Sequence, residues 1–202
     1  MRFRFTAALV LVAIVISTAG ARAAGPRAQS GLDWQIDPAR SEVRFTVTKL
    51  GFSDVTGLFH DSEGSIYYDE DRPEVSRVQW RVRVASVKTD ASTRDSTLQQ
   101  PEYFDAAHHP YLEFASRSVR ELNDGRLEVA GQITMRGVTR PLTLAVRIQT
   151  GSAPRFETDF TVDRYDFGIT GGSVMGRLIG RTVRVHLVAA VRPRAGINGG
   201  VR

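Results

Sequence analysis

Apolar and polar residues exchange places at every second position along most of this chain, and that pattern limits the fold more than any other feature. Val43, Phe45 and Val47 alternate with Glu42, Arg44 and Thr46. Val78, Trp80, Val82 and Val84 alternate with Gln79, Arg81 and Arg83. The same holds around Leu127, Val129, Ile133 and Met135, around Leu142, Leu144, Val146 and Ile148, around Phe156, Phe160 and Val162, and around Val183, Val185, Leu187 and Ala189. Leu112 and Phe114 begin a shorter strand of the same kind. Period two sends successive side chains to opposite faces of a strand. One apolar and one solvated face marks an antiparallel sheet.

Asn123-Asp124-Gly125, Arg136-Gly137-Val138 and Gly151-Ser152-Ala153-Pro154 supply turns, the first through an Asp-Gly pair that accepts positive φ. Between Val55 and Asp69 the phase changes, and Gly64 reads as a β-bulge. Residues 90–105 break the alternation. Ser92 and Asp95 have capping-box spacing, and Gln100-Pro101 reads as the end of one short helix and the start of another. About eight or nine hairpin-linked strands do not stay an open flat sheet. The pattern predicts an all-β, antiparallel, up-and-down barrel of about eight strands with a short helical insertion. A β-sandwich is the second architecture. A barrel of roughly eight strands encloses either packed side chains or one small ligand.

The ends read differently. Arg2 and Arg4 precede an apolar run from Ala7 to Ala19, and Ala21-Arg22-Ala23 offers a cleavage site. Residues 1–23 therefore read as a secretory signal peptide, its apolar run shorter than the roughly 20 residues a bilayer span needs. With no Cys after the run, a lipoprotein anchor is excluded. Residues 24–32 read as a linker, 33–191 as one barrel domain and 192–202 as a loose tail. The full chain holds 27 Lys plus Arg against 22 Asp plus Glu, and only Lys49 and Lys88 are lysines. Residues 33–191 hold 20 bases and 22 acids, so the folded part is slightly acidic. With the excess charge at the ends and no basic–aromatic interleaving, no nucleic-acid partner is expected.

The expected inward face carries Phe45, Val47, Phe59, Trp80, Val82, Phe114, Ile133, Leu144 and Phe160, joined by Leu98 and Phe104 from the insertion. Two readings stay open: a packed core, or a pocket for a long apolar ligand. Lys49 is in phase with Phe45 and Val47 and so falls on the inward face. An inward ammonium needs either a carboxylate partner or an anionic ligand group. Arg94 and Asp95 can cover one mouth of the lumen, or serve local ion pairing and capping. Tyr103 and Phe104 read as a plug for that end. Arg164 and Asp166 read as parts of a turn. The glycines between Gly168 and Gly180 read as a loop before the last strand, and as a lid.

Four blocks in order resemble the YceI-like family of secreted, lipocalin-like barrels. They are WQIDPARSEVRFTVTKLGFSDVTGLF from Trp34, SVKTDASTRDSTLQQPEYFD from Ser86, GQITMRGVTRPLTL from Gly131 and FTVDRYDFGIT from Phe160. The resemblance implies a barrel with a helical insertion, and a polyisoprenoid chain in its lumen, such as an isoprenoid quinone or a polyprenyl phosphate. It also implies a periplasmic location in a Gram-negative bacterium, with transient membrane contact for ligand exchange, and a monomer or homodimer. Where the family usually has His, this chain has Arg40 and Lys49. Together with Arg94 these permanent cations are the candidate head-group residues, favouring an anionic head over a neutral quinone.

Catalytic signatures are sparse. With no Cys there is no thiol nucleophile, disulfide or Fe–S cluster. There is no G-x-S-x-G elbow and no G-K-[ST] phosphate loop. His60, His108, His109 and His186 do not read as converging metal ligands. No catalytic residue, metal or cofactor is expected. An enzyme acting on an apolar substrate in the same lumen is the alternative function.

Overall fold

The computed structural model describes residues 31–149, 151, 154–172, 176 and 178–194. The expected signal peptide lies outside the described residues, as do Ser152 and Ala153 of one expected turn and part of the glycine-rich loop.

The strands are β1 (Leu32–Ile36), β2 (Glu42–Lys49), β3 (Ser53–Phe59), β4 (Ser62–Tyr68), β5 (Arg77–Arg83), β6 (Val87–Lys88), β7 (Tyr111–Glu121), β8 (Leu127–Met135), β9 (Val138–Gln149), β10 (Arg155–Asp163) and β11 (Ile179–Pro193). One helix, α1 (Ser92–Leu98), lies between β6 and β7. β1 bends into β2, β3 into β4 and β5 into β6, so the wall is a closed ring of 8 long strands. Each pairs antiparallel with its neighbour in sequence. β11 closes the ring. Its first part pairs with β2 and its last residues with β1. This is the up-and-down barrel that the alternation predicts, and closure removes the exposed edges of an open sheet.

Several local expectations are corrected. The phase change near Gly64 is not a bulge there, because Gly64 pairs in regular register with Trp80. The chain instead shifts phase at His60 and Asp61, between β3 and β4. Gly64 answers to a close approach: a Cβ on it would lie 2.2 Å from the Gln79 carbonyl oxygen. The strand opening at Leu112 is long, not short. A register shift between Ser116 and Ser118 moves the inward set from Leu112 and Phe114 to Val119, which hides the strand's second half from a period-two search. β1 starts at Leu32, inside the expected linker, and β11 takes in Arg192 and Pro193 from the expected tail. Gln100-Pro101 starts no second helix; turns carry residues 100–104.

Arg136 and Gly137, both at positive φ (51° and 74°), form the tight turn from β8 to β9. Inside the ring, Phe45, Phe59, Trp80, Val82, Val129, Leu144 and Phe156 belong to one hydrophobic cluster. Outside it, arginines pair across strands: Arg81 with Glu63, Arg83 with Asp61, Arg120 with Glu128 and Arg184 with Asp54. Such exposed pairs neutralise charge and add little stability. They matter because they isolate the cations that are not paired.

Candidate functional site: an apolar lumen with a cationic rim

The alternating inward residues do not fill the barrel. They leave a cavity of about 670 Å³, within the usual size of a small-molecule pocket. Every inward residue named from the sequence lines it, from Phe45, Val47, Lys49, Phe59, Trp80 and Val82 to Phe114, Ile133, Leu144 and Phe160. Leu98 and Phe104 line it from the insertion. Of the two readings of this face, the geometry therefore selects a hollow lumen over a fully packed core.

The floor is made by Tyr68 and Phe156, whose rings meet edge to face at 6.0 Å. Burial pushes the Tyr68 phenol above its ordinary range, helped by nearby Glu70. The middle wall is aromatic. The Phe45 ring lies across Gly57, where a Cβ would be 2.3 Å from its Cζ. Phe59 touches Phe45 at 5.5 Å between centroids and Phe104 at 5.8 Å. Phe104 thus closes the wall from the insertion side, as expected of a plug, with Tyr103 beside it on the lining. Trp80 is buried, and among the described residues its indole Nε1 has no hydrogen-bond partner. One seam of the wall is loosely sewn. β9 and β10 pair only between Arg147–Gln149 and Arg155–Glu157. Beyond that, the Thr158 hydroxyl donates to the Ala145 carbonyl at 3.1 Å.

The rim carries the polar groups. Lys49 ends β2 opposite Ile179 and lines the cavity. Among the described residues its ammonium has no hydrogen-bond or ion-pair partner. The carboxylate partner considered for it is absent from the described residues. Arg94 also lines the cavity, its Nε donating to Thr89 Oγ1 at 3.1 Å and its guanidinium pairing with Asp90. The N-cap of α1 is Ala91, not Ser92, and no side chain caps it. The Asp95 carboxylate instead reaches back across the helix start. It accepts from the backbone N–H and the hydroxyl of Thr89, both at 2.7 Å. Those bonds hold the Asp95 carboxyl below its ordinary range. Sequence spacing points to a cap; the observed contact is a latch between the helix and the end of β6.

Arg40, expected as a head-group residue, is not at the site. It is exposed in the turn before β2, pairs with Asp37 at 2.7 Å, and does not line the cavity. Lys49 lies at the far end of the eight-residue β2, about 26 Å of extended strand away. Shared replacement of an expected His says nothing about shared location.

Arg164 is the residue that sequence reasoning undervalued. It opens a one-turn 3-10 segment, Arg164–Phe167, which agrees with a turn role. Yet it is only 5 % exposed and lines the cavity. Its guanidinium donates to the carbonyls of Ile169, Gly176, Ile179 and Gly180 at 2.5 to 2.9 Å. No carboxylate of the described residues pairs with it. This buried cation is held by neutral carbonyls and the face of the Tyr165 ring, 4.6 Å away, so it adds a positive charge to this end. Asp166 is exposed on the same turn. Of the expected lid, Ile169 packs with Met135 and Phe167, and Gly171 donates its N–H to the Glu102 carbonyl.

On the outer wall, Glu157, Asp159 and His186 bring one potential metal-ligand atom each within 4.8 Å of one another. Arg147 already bridges the two carboxylates, at 3.4 Å and 3.3 Å. A cation entering there must displace a guanidinium, so the cluster reads as an ion-pair network.

An eight-stranded antiparallel barrel with an apolar lumen and a polar rim defines the class of lipocalin-like barrels. Residues 34–191 match the YceI-like domain, and the chain belongs to the YceI-like family. It is 32% identical over 135 residues to the protein YceI of Salmonella arizonae, covering 63% of this chain and 70% of that protein. It is 31% identical over 134 residues to a UPF0312 protein of Azotobacter vinelandii, with 63% and 70% covered. Among solved structures, BcnA of Burkholderia cenocepacia superposes with a TM-score of 0.71 at 19% identity, over 77% of this chain and 98% of that one. A polyisoprenoid binding domain from Saccharophagus degradans superposes with a TM-score of 0.64 at 15% identity, over 80% and 98%.

Proposed function

We propose that this barrel holds one polyisoprenoid chain in its lumen, with an anionic head group at the Lys49 rim, and carries or stores it outside the cytoplasm. The observation behind the reading is the pairing of a long apolar cavity with a rim lysine that has no partner among the described residues. An apolar void of this size favours a flexible hydrocarbon over water, because empty apolar cavities stay dry. The fold-level likeness to a polyisoprenoid binding domain agrees with it. The unpaired cation favours a polyprenyl phosphate over a neutral quinone, since an ammonium gains most from a charged acceptor. The signal-like segment at residues 1–23 supports export, and the periplasm is the proposed compartment. Binding is favoured over catalysis at this end because the buried Asp95 carboxylate is taken up by Thr89.

The test is binding of a polyprenyl phosphate and a chain-matched quinone to the wild type and to Lys49→Ala. The reading expects the phosphate to bind more tightly, and the substitution to weaken the phosphate alone by about tenfold or more. Equal loss for both ligands, or no loss, defeats the head-group assignment. Solvent extraction and mass spectrometry of the purified protein then identify the native chain. Osmotic-shock fractionation of cells making the full chain checks the compartment.

A further inference from the structure

Large apolar side chains exposed on this barrel are not scattered. Among the described residues they are Leu32, Leu50, Phe52, Tyr165 and Leu178, and all except Leu32 lie at the rim end. Phe52 is 82% exposed, Leu50 47% and Leu178 39%. Leu50, Gly51 and Phe52 form the turn between β2 and β3, closed by the pairing of Lys49 with Ser53. The Leu50 N–H donates to the Leu178 carbonyl at 2.7 Å, which brings the two leucines together. Tyr165 completes the group on the same rim. Its ring lies under Arg164 and Arg181, with guanidinium carbons 4.6 and 4.8 Å from its centroid.

Leu50 sits at φ 56° and Gly51 at φ 79°. Asn-Gly fits such a turn; a leucine at positive φ is strained. The chain therefore keeps an exposed leucine where local conformation disfavours it. Strain of that kind points to a use made of the side chain.

We infer that the Leu50–Phe52 turn, with Leu178 and Tyr165, is a membrane-docking tip that seats the lumen rim on an anionic lipid bilayer. A protein partner fits less well. Four such side chains present on the order of 400 Å², against about 1,200 Å² for a stable protein interface. The tip projects as a turn, a shape suited to insertion between lipid head groups. Lys49 adjoins it, its ammonium without a partner among the described residues, at the level where a cation meets lipid phosphates. Tyr165 has the aromatic body and polar tip found at membrane interfaces. The inference rests on the lumen-binding reading for its purpose, since a water-insoluble chain must enter from a lipid phase. It does not rest on that reading for its test.

The test is co-sedimentation of the purified protein with vesicles of phosphatidylcholine alone or mixed with phosphatidylglycerol. The wild type is expected to bind the mixed vesicles better. Phe52→Asp is expected to weaken that binding on the order of tenfold. Leu50→Asn is expected to weaken it too while raising the melting temperature, because Asn tolerates the positive φ. A merely structural turn would not separate those two effects. Wild-type protein that ignores both vesicles overturns the inference, as does full binding by Phe52→Asp. A dimer in sedimentation velocity that Phe52→Asp dissolves also overturns it, by making a second copy the occupant. A polyprenyl phosphate delivered from cyclodextrin bypasses the membrane. Uptake by Phe52→Asp from cyclodextrin but not from vesicles supports docking. Vesicle binding by a wild type that takes up no chain from cyclodextrin also supports docking, and removes the lumen-binding reading instead.

Discussion

The Asp95 carboxylate accepts two hydrogen bonds from Thr89, one from its backbone N–H and one from its hydroxyl, each at 2.7 Å. Lys88 Nζ stands 3.8 Å away. This group ties α1 to the end of β6, and α1 brings Leu98 and Arg94 to the lumen.

Asp95→Asn should lower the melting temperature at neutral pH, because an amide oxygen is a weaker acceptor than a carboxylate. The pH dependence has a definite sign. The folded-state pKa of Asp95 is depressed. Its stabilisation is therefore complete above the unfolded value of about 3.9 and is lost as pH falls through the lower folded value. Melting curves of the two proteins should converge below about pH 4 and separate above it. Parallel curves across that range would remove the carboxylate from the latch.

Arg164→Leu should destabilise the barrel by about 3 kcal/mol or more, since it leaves several carbonyls without a donor. Arg164→Lys should recover little. A single ammonium cannot span four carbonyls held around a planar guanidinium. Urea unfolding of both variants measures this. Full recovery by Lys would mean that charge alone matters there.

Trp80→Phe should be close to neutral for stability. It removes an indole N–H with no partner among the described residues, relieving about 1–3 kcal/mol, and gives up part of a buried ring in return. Trp80→Ala should cost about 3–5 kcal/mol by enlarging the void. Equilibrium unfolding in urea distinguishes them. A large loss for Trp80→Phe would show that Nε1 has an acceptor after all.

Gly131→Ala should be costly. A Cβ there would lie 2.3 Å from the Ala115 carbonyl oxygen and 2.8 Å from the Phe114 Cζ. The carbonyl is backbone, so β7 and β8 must separate locally. A loss of about 1–3 kcal/mol is expected in chemical denaturation. An unchanged midpoint would put slack between these strands.

Val185→Trp should fill the lumen without unfolding the barrel, because Val185 lines the cavity and is only partly buried where it packs against the core cluster. Binding of a polyprenyl chain should fall by about tenfold or more, while the melting temperature holds or rises. Undiminished binding would put the ligand elsewhere.

The alternating residues alone determined the strands, their antiparallel order and the inward set from Phe45 to Phe160. Hairpin-linked strands with one apolar face have few other ways to bury it. Lys49 was legible for the same reason: phase along one strand is a local property. What escaped were features that depend on what lies opposite. The register shift in β7 breaks period two, so Val119 could not be assigned a face from Leu112 and Phe114. Gly64 reads as a bulge in its own strand, but its role is set by the Gln79 carbonyl on the next one. Arg40 and Lys49 replace the same residue type in sequence, yet they stand at opposite ends of β2 and only Lys49 reaches the lumen. Arg164 reads as one more arginine in a chain with many. Only the fold gathers four carbonyls around it, from segments up to 16 residues away. Whether the inward face packs solid or encloses a cavity was also decided there, because it depends on how widely the ring of strands closes.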